Sequence, residues 1–134
     1  MTVRALHILA AAMLALPAHA AGSITEDPVV MNEVMLSTVA TKIAAECPKY
    51  AVNPTATGAS AQKLMGHISE QGYSSSEVQD LQSPAYMQTV SVAADEYLSA
   101  QGVDATNNRA LCAFAKRELR EGTSELSMLL MKNR

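Results

Sequence analysis

The sequence predicts an all-α fold: one small helical domain of about four main helices and two short ones, held by a single disulfide and preceded by a cleaved signal peptide. Three observations carry this. Apolar residues recur at spacings of three and four along nearly the whole chain, the period of helices with one buried face. No β-branched or aromatic run alternates for five or six residues, as a half-buried strand requires. The only two cysteines, Cys47 and Cys112, both fall on apolar helical stripes.

The opening residues read as an export signal. Arg4 is followed by an apolar run from Ala5 to Leu16, interrupted only by His7, and then by Pro17 and the small-residue sequence Ala18-His19-Ala20. This is the order of basic region, short apolar core and A-x-A cleavage site. The run is about twelve residues, against about twenty for a helix that crosses a bilayer, so the leader is expected to be removed. Residues 1–20 are thus assigned to the signal peptide and 21–134 to a single helical domain, with 21–27 as a flexible lead. The expected location is the periplasm or the exterior, reached by a Sec-type route, with no stable membrane insertion after cleavage.

The elements follow in order. Asp27-Pro28 is an N-cap followed by proline in the first turn. The helix behind it aligns Leu36, Val39, Ile43 and Cys47, with Met31 and Met35 beside them, and stops at Pro48. A second helix is expected over residues 59–71, aligning Leu64, Met65 and Ile68 and ending at Gly72. Ser74 to Glu77 has the S-x-x-E pattern of a capping box and opens a short helix with Val78 and Leu81. Ser83-Pro84 repeats the cap-plus-proline start for a longer helix that turns Met87, Val90, Ala94, Tyr97 and Leu98 inward and stops at Gly102. Asp104 or Thr106 is expected to cap a fifth helix carrying Leu111, Cys112, Ala115 and Leu119. A last short helix holds Leu126, Leu129 and Leu130.

An export signal sends both thiols to an oxidising compartment, where a Cys47–Cys112 disulfide is the natural outcome. A redox or nucleophilic thiol would want a close C-x-x-C pair or a neighbouring histidine, and neither occurs. Without the leader the chain is mildly acidic, with nine Lys and Arg against thirteen Asp and Glu. The nearest thing to a basic patch, Lys116, Arg117 and Arg120, is interleaved with Glu118 and Glu121 and reads as a solvated helix face, so nucleic acid is not expected as a partner.

No catalytic residue is assigned. His67 is the one histidine after the leader, one helical turn from Glu70 and close to Lys63, but such pairs arise often on any helix. Ser74, Ser75 and Ser76 are accounted for by helix capping. Met65 and His67 are the soft ligand types that copper accepts and form a weak alternative metal site. Methionines on helices are more often flexible core filler, so neither metal nor other cofactor is expected.

Several short segments in order also carry a resemblance: residues 43–48 around the first cysteine, Gly72-Tyr73-Ser74 with Glu77-Val78, Tyr97-Leu98 with Gly102-Val103, Leu111-Cys112, and Glu118-Leu119 followed by Gly122 and Leu129-Leu130. In these the chain resembles an uncharacterised domain-of-unknown-function family of small exported alphaproteobacterial proteins. The resemblance brings no site residue with it. The functional expectation is a non-catalytic exported protein that acts through contacts with a protein partner of unknown identity. The alternatives are a periplasmic stress chaperone, by analogy of architecture, and a copper-binding carrier.

Overall fold

The computed structural model describes residues 22–134; the expected signal peptide, 1–20, lies outside the described residues. Six helices and a two-stranded ribbon make up the domain: α1 (Pro28–Glu46), β1 (Tyr50–Val52), α2 (Pro54–Gln71), α3 (Ser75–Asp80), α4 (Pro84–Ala100), α5 (Asn108–Glu121), α6 (Glu125–Leu129) and β2 (Leu130–Lys132). The all-α architecture is as expected, four longer helices with two short ones and one disulfide.

Helix α1 is the hub, packing against α2, α4, α5, α6 and β1. Its stripe of Leu36, Val39, Ala40 and Ile43 is buried with Ala94 and Leu98 of α4, Leu111, Phe114 and Ala115 of α5, and Leu126 and Leu129 of α6. A smaller cluster sits at the amino-terminal end of α1, where Ile24, Val30 and Ile68 are buried with Leu64, Tyr73, Val78 and Leu81 around them. Residues 24–26 form one turn of 3-10 helix, and Ile24 at its start is 1 % exposed. The segment read as a flexible lead thus contributes a core residue, because Ile24 covers an apolar face that α2 and α3 leave open.

Three elements differ from the sequence reading. Helix α2 begins at Pro54, five residues before the expected start, because Asn53 accepts from the amides of Thr55 and Ala56 at 3.2 and 3.3 Å and Pro54 fits the first turn. Asn107, not Asp104 or Thr106, caps α5; Asp104 instead closes a local turn onto the Thr106 amide at 2.9 Å. Leu130 belongs to β2, which pairs antiparallel with β1 in the register Tyr50↔Lys132, Ala51↔Met131 and Val52↔Leu130. Strands of three residues are too short to leave an alternating pattern in a sequence.

On α4 the buried series is Tyr86, Val90, Ala94 and Leu98, whereas Met87, expected inward, is 47 % exposed. A helix turns 100° per residue, so Met87 lies well off the line that Tyr86, Val90, Ala94 and Leu98 make at spacings of four, on its solvent side.

Candidate functional site

Cys47 and Cys112 are bonded, with Cα atoms 5.6 Å apart. Cys47 is the last residue of the α1 stripe, where Pro48 stops the helix, and Cys112 lies in the first turns of α5. The bond therefore fixes the start of the ribbon to α5.

Asp27 organises the opposite end. As the N-cap of α1, its Oδ1 accepts from the amides of Val29 at 2.8 Å and Val30 at 3.2 Å. Its Oδ2 accepts from the Tyr73 hydroxyl at 2.8 Å and lies 2.7 Å from His67 Nε2. An ionised carboxylate can only accept, so that nitrogen carries the proton. Burial alone would raise the Asp27 pKa, but the hydrogen bonds from His67, Tyr73, Val30 and Val29 outweigh it and lower it from 3.8 to about 2. The node joins α1, α2 and the turn after α2. Gly72 makes that turn possible: it sits at φ 74° as the left-handed cap of α2, and Tyr73 N–H reaches back to the Ile68 carbonyl at 3.3 Å.

These contacts reassign the expected pairs. His67 finds its carboxylate 40 residues away rather than in Glu70 on its own helix. Lys63 turns instead to Glu33 at 3.1 Å and Glu125 at 3.8 Å, while Ser60 donates to the other oxygen of Glu33. Met65 is 58 % exposed, two residues from His67 and thus on another face of α2, so the structure does not bring the suggested copper ligands together. Among the described residues no group of three or more His, Cys, Asp or Glu is placed to hold a metal ion. Ser74 sits in the capping box with Glu77, and Ser83 caps α4. Asp27 was legible as a cap, but nothing in its neighbourhood showed that its second oxygen collects two side chains from 40 and 46 residues away.

Two of the concave surfaces among the described residues bear on function. The first is a groove of about 700 Å³ between α2 and α4, which both lie on α1 and scarcely touch one another. Its floor contains Ser37, Thr38 and Thr41 of α1, and its walls Ala61 and Leu64 of α2 and Met87 and Ala94 of α4. Thr38 and Thr41 donate to the carbonyls of Val34 and Ser37, at 2.8 and 2.9 Å, one turn back. Their hydroxyls are thereby occupied, and the floor is less polar than its composition suggests. The second is a cleft of about 730 Å³ between the ribbon and α5, bordered by Lys49, Lys116, Arg120, Lys132 and Arg134.

The family model of a family of unknown function, DUF5333, matches residues 22–131. The chain belongs to that family. The match spans α1 to the middle of β2, so the Asp27 node, the disulfide, the groove and most of the cleft all lie inside the family's domain. No curated protein and no solved structure matches the chain. Among the described residues no helix is long and apolar enough to cross a membrane.

Proposed function

We propose that this chain is an exported, non-catalytic helical domain that acts by binding a protein partner, with the α2–α4 groove as the contact surface. Export is supported by the leader-like residues 1–20 and by a disulfide of the kind that persists in oxidising compartments. The observation that carries the binding reading is the groove itself. Residues 33–46 of α1 run along it, about 20 Å at helical rise, the length of a short helix of about four turns. Small side chains on floor and walls let a helix backbone approach closely, and the flexible Met87 at the rim can adapt to it. Glu46 and Asp95 border the groove against Lys42 alone, Glu33 on the same edge being matched by Lys63. The fitting occupant is therefore an amphipathic helix of another protein, with a narrow apolar stripe flanked by Lys or Arg.

A photo-reactive amino acid at Ser91 on the groove wall tests this in the expressing cell. One discrete adduct at near-stoichiometric yield is expected, and it should vanish when Ala61→Trp fills the groove. A ladder of many adducts would favour the chaperone alternative, for which the exposed Met65, Met87 and Met128 supply adaptable surface. An adduct that persists unchanged in Ala61→Trp would reject the groove. Copper retained through dialysis would favour the carrier.

A further inference from the structure

The cleft between the ribbon and α5 has a chemistry opposite to that of the groove. Residues 22–134 carry nine Lys and Arg, and five of them, Lys49, Lys116, Arg120, Lys132 and Arg134, border this one concavity, while no Asp or Glu lines it. None of the five is in an ion pair among the described residues, where the pairs are those of Lys63 and His67. The rest of the described residues hold four Lys and Arg against thirteen Asp and Glu, eleven of these acids outside the core.

The helical turn produces this separation. Along α5 the charges of residues 116–121 are interleaved in sequence, but Lys116, Leu119 and Arg120 share one face and line the cleft. Glu118 faces the core, 8 % exposed, and accepts from Ser124. Arg117 turns aside to stack on Phe114, 5.1 Å from the ring centroid. The ribbon supplies the facing wall. The register sets Lys132 opposite Tyr50, and Asn133 bonds back to the carbonyls of Lys49 and Pro48, which holds the basic ends of both segments side by side. The disulfide joins the two walls: Cys47 lies two residues before Lys49, and Cys112 one helical turn before Lys116.

We propose that this cleft is a binding site for a compact organic polyanion, a phosphorylated or polycarboxylated small molecule. The cations supply charge-assisted hydrogen bonds to oxyanions, in forked pairs from the arginines, and Tyr50 and Leu119 give the carbon skeleton an apolar wall. The volume lies in the range of small-molecule sites, roughly 300–1,000 Å³. The acidic surroundings set the size of the ligand. Outside the cleft the described residues are net acidic, so a nucleic acid or a flat anionic bilayer would extend past it onto surface that on balance repels it, whereas a compact ligand ends inside it. This site is independent of the groove.

The test is a calorimetric and NMR titration of the oxidised protein, at about 0.15 M NaCl, with pyrophosphate and with citrate as probes. At least one should bind one-to-one and shift the amides of Lys49, Tyr50, Leu119 and Arg120. Lys116→Glu with Arg120→Glu should weaken it at least about tenfold, as should Lys132→Glu on the other wall, each with an unchanged circular-dichroism spectrum, while Lys42→Glu should leave it unaltered. Binding that disappears at 0.15 M NaCl, or that ignores all cleft variants, would overturn the proposal. So would adsorption to phosphatidylglycerol vesicles, or to a poly-glutamate peptide, with neither small anion bound.

Discussion

The two ends of α1 are closed by different means. At its carboxyl end a large core of aliphatic side chains and Phe114 is tied by a covalent bond between α1 and α5. At its amino end the buried cluster is smaller, Ile24, Val30 and Ile68, and a single carboxylate with four hydrogen bonds joins the elements. The covalent closure acts on the unfolded chain and does not depend on pH, whereas the polar closure is strongest while Asp27 is ionised and weakens on its protonation. The amino end should therefore be the first to open, and it is the end where acid acts.

The largest effect is expected from breaking the covalent closure. The bond closes a loop of 65 residues, for which chain entropy gives about 4 kcal/mol as an upper value. The double variant Cys47→Ala with Cys112→Ala should melt lower by about 15 °C, read by calorimetry. An unchanged melting temperature would remove the disulfide from the account of stability.

Asp27→Ala comes next. It removes a helix cap and strands the buried-side partners of Oδ2, and should cost about 2–3 kcal/mol. Amide exchange should locate the loss: protection should fall in α3 and the second half of α2 and persist at Ile43 and Leu111. Uniform loss would mean that the two ends unfold as one unit.

Acid sharpens the same comparison. The folded-state pKa of Asp27 is depressed to about 2 from 3.8, so the stability it brings is present above about pH 4 and is lost as pH falls toward about 2. Linkage sets an upper bound of about 2 kcal/mol, which solvent screening near the surface reduces to about 1. In Asp27→Asn this acid-dependent part should vanish from a stability-versus-pH curve; a curve of the same shape would assign it to other carboxylates.

The smallest change concerns the turn that delivers Tyr73. Gly72 has φ 74° and open space where a Cβ would lie, so Gly72→Ala meets backbone strain alone, about 1 kcal/mol. Chemical denaturation should show that loss with helix content retained, and a stabilised Gly72→Ala would mean that the turn does not need its left-handed geometry.

Much of the fold was legible because its signals are local. Ser83-Pro84, the Ser74–Glu77 box and Gly72 each declare a helix end through side chains within four residues, and the structure places caps at all of them. Asn53-Pro54 carries the same cap-plus-proline signal, and its position inside a stretch taken for a connection hid it. The candidate sites were less legible. Lys116, Arg117 and Arg120 looked neutralised beside Glu118 and Glu121, yet adjacency along a helix places side chains on different faces.

The sequence by itself determined the helical class, the ends of most helices and the two cysteines aimed at one core, since period, caps and turn residues act over a few positions. Only the tertiary structure decided that Ile24 is core, that Asp27 meets His67 and Tyr73, that residues 50–52 and 130–132 pair, and that five cations share a cleft. Those contacts join residues tens of positions apart, and their partners are chosen by how helices pack on α1, which no local pattern encodes.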